Sequence, residues 1–362
     1  MVDLNAAIGF VVAHGDAVER ARLSWLRNGT PPPPEVLETA EVGQSPDGGW
    51  PAMWGGEIAS VDATCFRLAE LDDLGALARP AARRALDWLA SRQQADGGWD
   101  EDASLAGSAP EWARPGDPEA KLFLTGNAGF WLTVAGLDAR ASGPLDHRVG
   151  GAYAGVVQAA AHSIAARLRP DGSWPSFLAA GWLSAAVLHR QDMFQESARI
   201  QVVLAERMPK MSPGDVAWLA ATLRRVGIDL QDWIMVRALR RLTETQRSDG
   251  GWESEDGHQF DVHSTLSAIR ACRPATVPGQ KRPALQAGGP PVRPEDRPPV
   301  RPTAVPPVHQ TAVPPARPEA VPPARQVAVP PVGQTAVPPV RQAAVPPVWR
   351  ETGPSGLAET AG

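Results

Sequence analysis

Three short segments of this sequence repeat one pattern, Gln-x-x-Asp-Gly-Gly-Trp. They are residues 44–50 (QSPDGGW), 93–99 (QQADGGW) and 246–252 (QRSDGGW), and a weaker copy at 168–174 (LRPDGSW) has Leu in place of Gln. In such a turn the Asp bonds the local backbone, the Gly adopts positive φ, and the Trp packs a large ring against the next helix. The recurrence predicts a chain built from repeated helical units, in which these turns stabilise the fold and do no chemistry.

The segments between the turns have apolar residues at helical spacing, and none reads as a convincing strand. We predict helices over 16–28, 58–74, 80–94, 121–137, 152–168, 175–189, 197–208, 213–226, 232–246 and 260–272. Taken two at a time, these ten segments make about five helix pairs.

The two helices of a pair differ in character. The first is charged on one side, as in ALDWLASRQ, and the second is apolar over most of its surface, as in FLAAGWLSAAVL. A helix that is apolar all round is buried, whereas an amphipathic one covers a core. The pattern therefore predicts an all-α fold, an α/α toroid with two concentric rings of helices.

Composition divides the chain near residue 274. The first 274 residues hold twelve of the thirteen Trp and predict one domain, followed by a Pro-rich linker over 275–302. Residues 303–350 are six octads that all contain Ala-Val-Pro-Pro, and 351–362 follow them. Pro at this density excludes helix interiors and central strands, so we predict a disordered tail with polyproline II character, either a spacer or a multivalent ligand for an aromatic groove.

Charge and cysteine content limit the class of protein. The tail has nine Lys/Arg and five Asp/Glu, a net charge of +4 in a chain of −5, so the first 274 residues are acidic and give no support to nucleic-acid binding. Two Cys without a Cys-x-x-Cys motif, and a start that does not read as a signal peptide, predict a cytoplasmic protein. No stretch predicts a transmembrane segment, and peripheral membrane contact stays open.

The Gln-x-x-Asp-Gly-Gly-Trp turns resemble the repeats of the squalene-hopene cyclase, oxidosqualene cyclase and protein prenyltransferase β-subunit superfamily. The resemblance covers about residues 16–274. Complete triterpene cyclases of this superfamily have two such domains with six or so pairs each, and this chain is long enough for one. The resemblance therefore implies a toroid that is incomplete, open-sided or completed by a partner chain.

The resemblance also implies a catalytic residue. Class II cyclases of this superfamily start the reaction with an Asp in an Asp-x-Asp-Asp-Thr-Ala-like motif, which protonates an alkene or epoxide. The nearest match is residues 60–65 (SVDATC), in which Asp62 stands at the central position and Ser60 and Ala63 replace the flanking carboxylates. Burial can raise an Asp pKa enough for this chemistry, and Cys65 lies one turn away as a weak hydrogen-bond donor. The alternative interpretation of Asp62 is a cap of an inner helix.

Other residues are candidates for substrate binding or for metal binding. Inner-helix residues that would line a cavity, if they point inward, are Asn127, Phe130, Trp131, Trp182 and Trp218. His258, Asp261 and His263 form a cluster that is either a zinc site or a helix cap beside a surface His. Asp100-Glu101-Asp102 is either a Mg²⁺ site or a solvated loop. We expect no metal and no other cofactor.

Three functions follow from these observations. The first is a toroid that binds a polyprenyl or triterpene-like substrate, a hydrophobic isoprenoid, and cyclises it with Asp62 as the acid. The second is a non-catalytic toroid that binds a lipid or a partner chain, with the Pro-rich tail as a tether. The third is a subunit of a zinc-dependent prenyltransferase.

Overall fold

A computed structural model describes residues 1–139 and 151–273, all within one compact unit. The predicted linker, octads and C-terminus lie outside the described residues. The described chain is helical apart from two strands, β1 (Trp50–Pro51) and β2 (Ala59–Ser60), which pair antiparallel. No described helix is long and apolar enough to cross a membrane.

Twelve α-helices within residues 1–139 and 151–273 alternate between two rings. The outer ring holds α1 (Leu4–His14), α3 (Pro34–Glu41), α5 (Pro80–Ser91), α7 (Ala154–Ala165), α9 (Phe194–Arg207) and α11 (Trp233–Thr245). The inner ring holds α2 (Ala17–Asn28), α4 (Val61–Asp73), α6 (Pro118–Ala139), α8 (Leu178–Arg190), α10 (Pro213–Arg225) and α12 (Asp261–Cys272). Consecutive inner helices pack side by side, and α12 packs against α1 and α2. The predicted all-α toroid is confirmed.

The described residues form six helix pairs, where the sequence indicated about five. The short apolar run near the N-terminus is α1, and α3 starts at the end of the Pro31–Pro34 run, where Pro is well tolerated in a first helical turn. The sequence predicts the 16–28 segment as the outer partner of 58–74, but both are inner helices and each has its own outer partner. The sixth pair closes the ring within the described residues, whereas the sequence predicts a toroid that is incomplete, open-sided or completed by a partner chain.

Helix ends follow local sequence signals. Asp16 and Glu19 form a capping box at the start of α2, and the Ser60 and Ser212 hydroxyls cap α4 and α10. The inner helices are apolar because both rings bury them, and in α8 every residue from Ala179 to Leu188 is buried. Asp72, Asp138, Arg225 and Arg270, near the C-terminal ends of α4, α6, α10 and α12, form ion pairs with one another. These four inner helices therefore begin together at the other end of the toroid.

The three full turns make one set of contacts, and their Trp residues are buried as predicted. Trp50, Trp99 and Trp252 are at most 1% exposed. The backbone N–H of each donates to a Thr hydroxyl on the following inner helix, and each indole N–H donates to a carbonyl at or near the end of the preceding outer helix. Each turn therefore fixes an outer helix to its inner partner.

The turns also join successive pairs. Each Gln side chain donates to a carbonyl in its own turn and to a second carbonyl at the start of the next outer helix, for Gln44, Gln93 and Gln246 alike. Gly97 has φ +79°, and a Cβ there would lie 2.4 Å from the Ala159 carbonyl oxygen. Only Gly combines that conformation with so close an approach to the neighbouring helix.

Candidate functional site

One face of α4 is turned towards the interior of the ring, which we call the lumen. Asp62, Phe66, Ala69 and Asp73 recur at four- and three-residue spacing, so they share this face. Asp73 pairs with Arg270 of α12, and neighbouring Glu70 pairs with Arg22 of α2 at 2.9 Å. Because these partners come from other inner helices, the face that carries Asp62 is the lumen face.

Asp62 is a buried acid in the first turn of α4. It is 4% exposed, and its Oδ2 accepts a hydrogen bond from the Trp112 indole at 3.1 Å. No described residue donates to Oδ1. Burial raises the pKa of Asp62 to about 6, although the Trp112 hydrogen bond favours the anion. Ser60 is the N-cap of this helix, so Asp62 is not the capping residue.

Glu101 holds the beginning of α4 in place. Its carboxylate accepts hydrogen bonds from the Ser60 hydroxyl at 2.7 Å and from the backbone N–H groups of Val61 and Asp62 at 2.9 Å. Burial raises the pKa of Glu101 to about 7 against these hydrogen bonds. The sequence predicts Glu101 in a solvated or Mg²⁺-binding loop, whereas its carboxylate is buried against the beginning of α4.

The rest of the acidic loop makes local contacts. Asp100 accepts from the Gly116 N–H, and Asp102 accepts from the Ser104 N–H at 2.9 Å. Both therefore satisfy backbone donors, and with Glu101 buried the three carboxylates do not converge on one point. Cys65 is buried beside Asp62 but makes no described hydrogen bond to it, and burial together with the charges of Asp62 and Glu101 raises its thiol pKa.

The predicted substrate-binding residues occupy three inner helices. On α6, Asn127 and Trp131 share a face with Asp138, which reaches Arg225 of α10 at 2.7 Å, so this face is also turned inward. Phe130 lies to one side of that face and packs edge-on against Trp131, with ring centroids 5.0 Å apart.

The two later Trp residues differ in burial. Trp182 on α8 is 2% exposed and belongs to the core, whereas Trp218 on α10 is half-buried. A half-buried aromatic on an inner helix has part of its ring free for a ligand, which a fully buried one lacks.

Asp261 differs from Asp62 in the face that it occupies. It begins α12 on the side opposite Arg270, and it accepts from Arg247 at 2.6 Å and from the Ser254 N–H at 2.8 Å. His258 is 86% exposed beside it. Cys272 lies eleven residues along the same helix, about 16 Å away, and no group of three metal-binding side chains occurs within 1–139 and 151–273. Asp261 is therefore a structural tie outside the lumen.

An ion-pair network spans the lumen at the C-terminal end of the inner helices. Asp72 of α4 bonds Arg225 of α10 at 3.0 Å and Arg270 of α12 at 2.6 Å, and Arg225 also pairs with Asp138. Burial alone would raise the pKa of Asp72, but the two guanidinium groups hold it at about 2. The network forms a floor that closes this end of the lumen. The sequence analysis predicts no role for these residues. The only indication of the network in the sequence is a few charged residues on otherwise apolar helices.

A separate cavity of about 360 Å³ lies where the last turn meets α1 and α2. Its polar lining includes Glu19, Arg247, Asp249 and Asp261. Arg247 pairs with both Asp residues, and Glu19 accepts from the Asp16 N–H at 2.7 Å. These groups satisfy one another, so the cavity presents little unpaired charge to a ligand.

The fold and the site define an α/α toroid with a buried acid at the N-terminal end of its lumen. Residues 30–137, which include Asp62, Glu101 and Trp112, match the family described as the squalene-hopene cyclase C-terminal domain. This match confirms the resemblance to the squalene-hopene cyclase superfamily that the Trp turns predicted. The comparison with curated proteins finds no match.

Solved structures with similar chains include a protein from Actinoplanes, 16% identical with a TM-score of 0.47 over 74% of this chain and 97% of that one. The type II terpene cyclase MstE from Scytonema is 14% identical, with a TM-score of 0.47. The alignment covers 74% of this chain and 96% of the cyclase. A variant of that cyclase in complex with geranylgeranyl dihydroxybenzoate is 15% identical, with a TM-score of 0.46 over 74% and 95%.

Proposed function

We propose that this protein binds a hydrophobic isoprenoid in the lumen of the toroid and cyclises it by proton transfer from Asp62. The observation that carries the proposal is the setting of Asp62, a buried carboxyl on the lumen face with one oxygen free of protein donors. The family match supports it, because the matched segment contains Asp62.

The chemistry requires an acid that is protonated before reaction and stable as an anion afterwards. Burial supplies the first condition by raising the pKa of Asp62. Trp112 supplies the second, because its indole N–H already points at Oδ2 and stabilises the carboxylate once the proton has left. In the proposed step, the proton on Oδ1 passes to an alkene carbon of the substrate, and a carbocation forms in the lumen.

Aromatic side chains would stabilise that cation. Phe66 lies one helical turn after Asp62 on the same face, and Trp131 and Trp218 stand on α6 and α10. An aromatic face attracts a cation by about 2 kcal/mol or more when water is excluded. Asn127, Phe130 and Trp182 are proposed to shape the same site. The ion-pair floor limits the lumen, since Asp62 and Asp72 are ten residues or about 15 Å apart along α4.

The test is incubation with a panel of polyprenyl substrates, followed by analysis of the products. Asp62→Asn keeps the size of the side chain and removes the transferable proton, so turnover should fall by several orders of magnitude while substrate binding survives. Asp261→Asn is the matched control, since Asp261 also lies in the first turn of an inner helix but outside the lumen, and it should change turnover far less. Near-normal activity of the Asp62 variant, with loss in the Asp261 variant, would show that Asp261 and not Asp62 is the acid.

A second candidate is a non-catalytic toroid that binds a lipid or a partner chain, with the Pro-rich tail as a tether. One observation favours it: charged groups occupy part of the lumen, including Arg22 and Glu70 as well as the floor. An apolar chain gains nothing from such surroundings. If isoprenoids bind to the parent protein and none is converted, this second function replaces the first.

A further inference from the structure

Asp215 is a buried carboxyl to which neither the sequence nor the proposed protonation step assigns a role. It lies in the first turn of α10, is 5% exposed, and its Oδ1 is buried without a hydrogen-bond partner among the described residues. A buried polar atom without a partner costs free energy, so in a native protein it needs an explanation such as a bound water or ion or a catalytic role. Asp215 therefore calls for a functional explanation.

The position of Asp215 places it on the lumen side of α10. Asp215, Trp218, Thr222 and Arg225 recur at three- and four-residue spacing and so share one face. Arg225 extends from that face to Asp72 on α4. Because this contact crosses the ring, the shared face is turned towards the lumen.

Asp215 and Asp62 stand at the same end of the lumen on opposite sides. In the ring of six inner helices, α4 and α10 are separated by two helices in either direction. Both Asp residues lie in the first turn of their helix, and both helices begin with a capping Ser, Ser60 and Ser212. A substrate that fills this end of the lumen would therefore have one carboxyl on each side.

We propose that Asp215 is the base that ends the cyclisation by removing a proton from the last carbocation. This inference rests on the proposed function of Asp62. In this step a C–H bond next to the cationic carbon breaks, its electron pair forms the C=C bond, and the proton binds Oδ1 of Asp215. Asp62 has lost one proton and Asp215 has gained one, so exchange of each with water restores the starting state without another reactant.

The surroundings of Asp215 suit a base. Burial raises its pKa to about 7, hydrogen bonding from Ser212 lowers it in part, and the nearby charges of Glu255 and Asp256 raise it. A carboxylate with a raised pKa holds a proton more firmly than an exposed one and is still ionised in a large fraction of molecules near neutral pH.

The experiment measures the products of Asp215→Asn with the polyprenyl substrate that the parent protein converts. The parent should release mainly an alkene. Without the base, water captures the cation, so the ratio of alkene to alcohol should fall by about a hundredfold. Asp215→Glu keeps a carboxyl and should recover much of the alkene. Glu253→Gln, an exposed carboxyl of the same loop whose charge is not among those that raise the pKa of Asp215, is the control and should keep the parent ratio.

Reaction in D₂O separates failure of this inference from failure of the proposed function. Every product of the parent and of Asp215→Asn should carry one deuterium delivered by Asp62. If deuterium enters but Asp215→Asn keeps the parent ratio, or if the variant only weakens substrate binding, Asp215 is not the base. If the parent forms only alcohol, or converts no isoprenoid, the inference is overturned as well. Should the Asn variant not fold, the alkene fraction of Asp215→Glu against Glu253→Gln decides.

Discussion

The side-chain amide of Gln246 exchanges two hydrogen bonds with the backbone of Asp3, 243 residues earlier in the chain. The Asp3 N–H donates to Oε1 at 2.8 Å, and Nε2 donates to the Asp3 carbonyl at 2.9 Å. Asp3 in turn caps α1. The last Trp turn is thereby fixed to the first outer helix, which closes the outer ring.

Gln246→Ala should therefore destabilise the toroid, because it removes both hydrogen bonds of the closure and one within the turn. We expect a loss of about 1–2 kcal/mol in the free energy of unfolding, measured by urea titration. Gln231→Ala, in an exposed turn, is the control and should stay within about 0.5 kcal/mol of the parent. Equal losses in the two variants would mean that the closure adds nothing.

Trp99→Ala should lower the free energy of unfolding much more than Gln246→Ala does, since Trp99 is fully buried and connects two helices through its N–H groups. The expected loss is about 3–5 kcal/mol in the same titration. Trp233, on the outer surface of α11, is 44% exposed, and its replacement by Ala provides the comparison. A loss below about 1 kcal/mol for Trp99→Ala would show that the turns do not stabilise the fold.

Deleting residues 275–362 should leave the melting temperature almost unchanged. The six helix pairs close their ring within the first 273 residues, and the Pro-rich octads contain no Leu, Ile, Phe or Met from which a core could be built. Thermal unfolding of the full chain and of the shortened one tests this expectation. A drop of many degrees would mean that the tail packs on the toroid.

The rate of protonation should fall as pH rises through about 6. Asp62 is the acid only while protonated, and with a pKa of about 6 it is half protonated at pH 6 and about one-tenth at pH 7. Trp112→Phe keeps an aromatic ring but removes the hydrogen bond that favours the anion. The pKa of Asp62 should then rise, and the midpoint of the single-turnover pH profile should move to higher pH. A midpoint that stays in place or moves down would argue against Asp62 as the proton donor.

The sequence by itself determined the class of fold. Each Trp turn is specified by residues close together in the sequence. Gly97 adopts positive φ, and Trp99 bonds the two helices that flank the turn. The apolar pattern of the inner helices is local as well. The sequence did not determine the number of pairs, because α2 carries charges that are typical of an outer helix, whereas its Arg22 is buried and bonds Glu70 of another inner helix.

Only the tertiary structure decided what surrounds the acid. The Asp62 carboxylate accepts a hydrogen bond from Trp112, fifty residues later. The backbone at the beginning of α4 donates hydrogen bonds to Glu101. The ion pair of Arg225 with Asp72 exists only because six helix pairs close into a ring that places α10 opposite α4. Such contacts join residues that are distant in sequence, so no local spacing predicts them, whereas the turns that build the ring can be read directly from the sequence.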